Sequence, residues 1–204
     1  MVPPTAGLPL AVADLRPWGS ADLKGALAQW LRVPAVQLEC SGTSALMVAL
    51  AALRRLAPAA RTEVVIPAYT CPLVPLAIAQ SGLQARLCDL RPDVPDMSPE
   101  HLRTLCGERT LAVMPTHLCG RVADVPAALE CARAVGAYVI EDAAQALGAR
   151  VHGESVGWQG DLGFFSLAVG KGLTTFEGGV LLAREPAMRA ALQAESRAGV
   201  RPSR

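Results

Sequence analysis

Apolar positions follow two rhythms that alternate along the chain. Short, nearly continuous apolar runs at residues 36–40, 63–66, 85–90, 111–114, 138–140, 162–166 and 179–183 predict seven strands. Between them, longer stretches repeat apolar residues every three or four positions. Leu23, Leu27, Trp30 and Leu31 within 21–31 show the pattern, which returns at 44–56, 74–80, 102–105, 127–135 and 187–197 and predicts helices. Strands that are apolar throughout, rather than at every second residue, belong in a sheet covered on both faces. The expected fold is therefore α/β: three α/β/α layers around a mainly parallel seven-stranded sheet. Residues 1–20, with Pro3, Pro4, Pro17 and Gly19, read as an irregular arm, and 21–204 as one domain. Sheets of this kind bind ligands at the carboxyl ends of their strands. Ser41-Gly42-Thr43, Tyr69, His117, Asp142 and Ser166 all fall at such ends.

Composition narrows the function classes. The 204 residues are 51% apolar and 18% charged with a net charge of +1, and no basic stripe interleaved with aromatics is present, so nucleic acid is not the expected partner. Apolar runs such as 44–53 stop well short of the ~18 residues of a membrane span. The first ten residues lack a basic start, so a secretory signal is not expected and a cytoplasmic location is. Six cysteines without a C-x-x-C pair read as small core residues rather than a disulfide framework. His117 and Cys119 alone are too sparse for a metal centre, so no metal is expected. Lys24 and Lys171 are the only lysines among 19 basic residues. A lysine flanked by Gly170 and Gly172 stands out there, because an amine can lose its proton and form an imine whereas guanidinium stays charged.

Three stretches carry candidate chemistry. Cys40-Ser41-Gly42-Thr43-Ser44 joins a strand to a helix; the free N–H groups of a helix start suit a phosphate, and the same residues equally suit a plain N-cap. Glu141 and Asp142 end a strand, where a carboxylate can hold a magnesium ion, a ribose or a protonated pyridine nitrogen, or cap the next helix. Lys171 lies beyond the strand at 162–166. The spacing there is wrong for a P-loop, since Phe165 occupies the place of the first glycine and Gly172 follows the lysine; a Rossmann glycine pattern is absent as well. Taken together, a phosphate cradle, an acidic strand end and a loop lysine are the parts of a pyridoxal-phosphate enzyme.

Ser41-Gly42-Thr43-Ser44-Ala45-Leu46, Ile66-Pro67-Ala68-Tyr69-Thr70, Glu141-Asp142-Ala143-Ala144-Gln145 and Phe165-Ser166 through Lys171, Thr174-Thr175 and Glu177-Gly178-Gly179 resemble the DegT/DnrJ/StrS aminotransferases, in family order. The resemblance implies fold type I and pyridoxal 5'-phosphate, with amino transfer, from glutamate, to a small-molecule keto acceptor such as a nucleotide-linked sugar. It implies Lys171 as the Schiff-base lysine and Asp142 as the partner of the ring nitrogen. Gln145 would lie near the cofactor's phenolic oxygen, with Gly42, Thr43, Ser44 and Ser166 around the phosphate. Related dehydratases carry histidine at the lysine position, so Lys171 favours transamination. Cys71 stands where many relatives have an aromatic ring, and Tyr69 is the candidate to replace it. His117 either touches the ligand or serves as a structural hydrogen-bonding residue. Members are about twice this long, so the small C-terminal domain is expected to be missing. A homodimer, or pairing with a longer relative, is the expected assembly. A truncated, catalytically incompetent subunit is the alternative.

Overall fold

A computed structural model describes residues 22–118 and 121–199; the arm expected at 1–20, and Cys119 with Gly120, lie outside the described residues. In chain order the elements are α1 (Leu23–Leu31), β1 (Gln37–Glu39), α2 (Gly42–Leu56), β2 (Glu63–Pro67), α3 (Leu73–Gln80), β3 (Gln84–Cys88), α4 (Pro99–Leu105), β4 (Thr110–Val113), α5 (Val125–Ala134), β5 (Tyr138–Asp142), β6 (Arg150–Val151), β7 (Glu154–Ser155), β8 (Leu162–Ser166), β9 (Gly179–Ala183) and α6 (Pro186–Gly199).

Seven strands form one sheet in the order β1-β9-β8-β5-β4-β2-β3. Strands β8, β5, β4, β2 and β3 run parallel, whereas β9 is antiparallel to both of its neighbours. The mainly parallel seven-stranded sheet expected from the apolar runs is thus present, with one reversed strand. β5 is its central strand, flanked by parallel partners on both sides.

Side chains of a strand alternate between faces, so each fully apolar strand feeds two cores. Val64, Ile66, Ala112, Ile140, Phe164 and Leu181 join α2, α3 and α6 on one face. Val65, Val113 and Val139 join α4 and α5 on the other. Beyond β5 that second face continues with Phe165, Val180 and Leu182 under α1. The buried stripe of α2, from Ala45 and Leu46 through Ala49 and Leu50 to Ala52 and Leu53, keeps the three-to-four spacing that a helix needs to cover a sheet.

Several ends differ from the apolar pattern for identifiable reasons. Helix α4 starts at Pro99, earlier than expected, because the Ser98 hydroxyl accepts from His101 N–H at 3.3 Å and proline suits the first helical position. The β6–β7 hairpin was not anticipated, since two-residue strands carry no detectable alternation. Its turn uses His152 (φ 50°) and Gly153 (φ 86°), the two left-handed residues a tight hairpin favours. Cys40, expected inside a strand, is exposed, whereas Cys88 is buried in β3 and its thiol is pushed up to about 12, chiefly by burial. Trp30, expected on the apolar stripe of the first helix, is 49% exposed. Among the described residues no helix is long and apolar enough to cross a membrane.

The start of α2 is pressed onto the sheet at Gly179. A Cβ there would lie 2.3 Å from the Ser41 carbonyl oxygen and 3.0 Å from Ala45 Cβ. Gly179→Ala is therefore expected to destabilise the chain by about 1–3 kcal/mol, the usual cost of overpacking, measured as a lower urea midpoint with an unchanged slope.

Candidate functional site

The alternation that builds the two cores also builds the site. One residue pair further along each strand from Met114, Ile140 and Phe164, all in the α2-side core, come Thr116, Asp142 and Ser166. These three line a cavity of about 520 Å³ together with Gly42, Thr43, Gln145 and Lys171. On the opposite side, the same alternation carries His117 and Glu141 into a fully buried pair.

At one end of the cavity is the amino terminus of α2. Ser41 caps the helix, its hydroxyl accepting from Ser44 N–H at 3.0 Å. The N–H groups of Gly42 and Thr43 have no acceptor within their own helix, and the helix dipole adds partial positive charge there. Gly42 lies so close to Ser166 that a Cβ on it would sit 2.9 Å from Ser166 Cβ. The Ser166 hydroxyl accepts from Ala168 N–H at 3.3 Å, which leaves its own proton for an anion. Ser41 is the N-cap, and Gly42 with Thr43 line the cavity.

The acidic end is Asp142, only 3% exposed. Its Oδ1 accepts from Ala144 N–H at 3.0 Å. Burial pushes this carboxyl's pKa up, against the opposing pull of the Ala144 N–H, His117 and Lys171. A cationic or N–H-bearing ligand atom at this carboxylate would relieve its desolvation. Gln145, one turn beyond, also faces the cavity.

Behind Asp142, Glu141 is completely buried. Its Oε2 lies 3.0 Å from His117 Nε2 and accepts from Gly157 N–H at 2.8 Å, while Oε1 accepts from Gly160 N–H at 2.6 Å. His117 Nδ1 accepts from Ala123 N–H at 3.0 Å, so the ring's proton is on Nε2 and is donated to Glu141. His117 is thus a structural hydrogen-bonding residue and does not line the cavity. The pair joins the ends of β4 and β5 to the segment leading into β8.

Lys171 is half-buried on the loop between β8 and β9. That loop is laced by Leu167 N–H to the Gly178 carbonyl (2.8 Å), Val169 N–H to the Phe176 carbonyl (3.1 Å) and Lys171 N–H to the Ala168 carbonyl (3.1 Å). The Thr174 hydroxyl donates to the Leu167 carbonyl at 2.9 Å, and the Thr175 hydroxyl to that of Glu177 at 2.5 Å. The lysine therefore sits on a bonded loop rather than a free one.

Two of the anticipated contacts fall elsewhere. Ser44 does not line the cavity, its N–H being engaged by the Ser41 cap, and Tyr69 is 65% exposed and outside the lining, where Cys71 is found instead. Among the lining residues that were not anticipated are Thr116 and Phe176. Thr116 Oγ1 is buried with no hydrogen-bond partner, and its place two residues beyond Met114 was the available signal. Phe176 lies in the lysine loop with a left-handed backbone, which no composition or periodicity reveals.

Two outcomes follow from these environments. Removing the Glu141 carboxylate strands one imidazole and two backbone N–H groups, so Glu141→Ala is expected to cost about 3–5 kcal/mol in urea denaturation. Asp142 has a raised folded-state pKa, so the folded chain binds that proton more tightly than the unfolded chain, and stability falls as pH rises through the folded value. Asp142→Asn should lack this fall, and its stability relative to the parent should improve from acid to neutral pH.

Comparison with known proteins bears on what such a cavity is for. A family model described as the DegT/DnrJ/EryC1/StrS aminotransferase family matches residues 20–204. The L-glutamine:2-deoxy-scyllo-inosose aminotransferase of Streptomyces fradiae is 33% identical over 196 residues, covering 89% of this chain and 46% of that protein. The GDP-perosamine synthase of Caulobacter vibrioides is 34% identical, covering 80% of this chain and 43% of its own length. Among solved structures, Streptomyces venezuelae DesV in complex with a ketimine intermediate aligns with a TM-score of 0.76 at 31% identity, over 83% of this chain and 45% of that one. The chain thus spans less than half the length of these three relatives.

Proposed function

The chain belongs to the DegT/DnrJ/EryC1/StrS aminotransferase family, and from that premise we propose that it is the cofactor-binding part of a pyridoxal-phosphate-dependent aminotransferase. The acceptor is a keto sugar, carried on a nucleotide or related to the inosose in one relative's name, and the donor is an amino acid, glutamate by the family resemblance or glutamine as in that relative's name. The observation that carries this reading is one cavity gathering an imine-forming amine, a buried carboxylate and an anion cradle. Its volume of about 520 Å³ lies in the range of small-molecule sites.

The residues present fit the cofactor. Gly42 lets the start of α2 sit directly against Ser166, so that the Gly42 and Thr43 N–H groups and the Ser166 hydroxyl come together and suit the phosphate. Asp142 suits the protonated ring nitrogen, and the orphaned Thr116 hydroxyl needs a partner that a ligand in this cavity can provide. Gln145 is on the lining for the phenolic oxygen. When bound, the cofactor supplies an electron sink for the bond changes of transamination. Lys171 Nζ would hold the cofactor at its aldehyde carbon, and the same amine is the base that would carry a proton. Asp142 would keep the ring nitrogen protonated.

We place the working protein in the cytoplasm, as a homodimer or paired with a longer relative. Exposed apolar side chains on the cavity lining support an assembly there: Leu73 is 53% exposed and Val169 71%.

Borohydride treatment of the chain mixed with pyridoxal phosphate tests the assignment. The tryptic peptide bearing Lys171 is expected to gain the mass of the reduced cofactor, and Lys171→Ala to abolish the label and the accompanying absorbance band. A label distributed over surface amines, or none, overturns the reading.

A further inference from the structure

We propose that Phe176 is a ligand-contacting residue whose ring forms the aromatic wall against the pyridine ring of the bound cofactor; this rests on the functional reading above. Three observations converge on it. First, its backbone is in the left-handed region at φ 68°, which an aromatic residue adopts only under constraint and which glycine adopts freely. Second, the loop enforces that conformation. Phe176 N–H donates to Thr174 Oγ1 at 3.0 Å, the Phe176 carbonyl accepts from Val169 N–H at 3.1 Å, and the Thr174 hydroxyl is itself anchored on the Leu167 carbonyl. Third, the constraint gains nothing for the fold, because the ring is 55% exposed and belongs to none of the three cores. A strained residue that its surroundings over-determine, and whose side chain is more than half exposed and joins none of the cores, points to a partner outside the chain.

The cavity identifies that partner's chemistry. Phe176 lines it together with Asp142, Ser166 and Lys171. The other lining phenyl ring, Phe164, is 3% exposed and committed to the core beneath α2. Tyr69 is outside the lining, and Cys71 on it offers only a small thiol. Phe176 is therefore the accessible aromatic face on this cavity among the described residues. Aromatic rings favour offset stacking on a planar heteroaromatic, an effect corresponding to roughly threefold to tenfold in affinity.

The test separates contact from packing by the sign of two measurements on the full 204-residue chain. Pyridoxal phosphate is titrated into the parent, Phe176→Gly, Phe176→Leu and Phe176→Trp, and each chain is also melted without cofactor. Phe176→Gly should melt at or above the parent, since the left-handed strain is relieved, yet bind the cofactor about threefold to tenfold more weakly. Phe176→Leu should bind weakly too, and Phe176→Trp should restore affinity. Parent-like affinity in Phe176→Gly, or weak binding by Phe176→Trp, overturns the contact. A melt several degrees lower in Phe176→Gly makes Phe176 a packing residue and also overturns it. Failure of the parent chain to bind the cofactor overturns the functional reading with it, whereas unchanged binding across all four chains overturns this inference alone.

Discussion

A carboxylate with no access to water organises the centre of this molecule. Glu141 ends the central strand of the sheet and takes three hydrogen bonds, from the His117 imidazole and from the backbone of Gly157 and Gly160. A buried anion is tolerated only when its lone pairs are satisfied, so each of these donors is fixed in place as firmly as the carboxylate. The donors come from two separate segments: His117 just beyond β4, and Gly157 with Gly160 in the approach to β8. Glu141 thereby sets the relative positions of three adjacent strand ends, and its neighbour Asp142 inherits that rigidity while pointing the other way. The backbone repeats the tie, with His117 N–H donating to the Asp142 carbonyl and Asp142 N–H to that of Pro115, both at 2.9 Å.

The second constraint is the seat of α2. Gly42 and Gly179 let the first turn of that helix come within contact of β8 and β9, closer than any side chain would permit. The helix start is thereby brought to the carboxyl end of β8, beside Ser166, although its preceding strand β1 is at the edge of the sheet. With Glu141 fixing the floor and the two glycines fixing one wall, the β8–β9 loop completes the enclosure and brings Lys171 to the cavity.

Much of this was legible in the sequence, and the reason is local. Five of the seven sheet strands are short, largely apolar runs, only the edge strands β1 and β3 mixing in polar residues, and each of the core helices carries its own three-to-four stripe, so elements could be read without knowing what they touch. Gly42, Thr43, Asp142, Gln145, Ser166 and Lys171 could be picked out because they stand at the ends of those elements in a recognisable family order. What escaped was set by distance and by backbone conformation. The His117–Glu141 pair spans 24 residues, and nothing in either neighbourhood specifies the partner. The β6–β7 hairpin is too short to have a rhythm. Whether Tyr69 or Cys71 reaches the cavity depends on how the chain turns after β2, which the residue types alone leave open.

The two sides of the strand ends differ in how far their polar groups are satisfied. On the Glu141 side the buried polar groups are matched: imidazole, carboxylate and backbone N–H groups all have partners. On the Asp142 side they are not. Asp142 is ionisable and desolvated, the Thr116 hydroxyl is buried without a partner, and the Phe176 backbone is held in a conformation that suits glycine. Each of these is unfavourable for the chain alone, and all three border the same cavity. A fold under selection for stability only would have removed them by simple substitutions, asparagine, valine and glycine respectively. Their concentration on one side of one set of strand ends, next to a satisfied side built from the very next residues, supports the reading of this cavity as a ligand site: the satisfied side holds the geometry, and the other presents groups that a ligand could pair with.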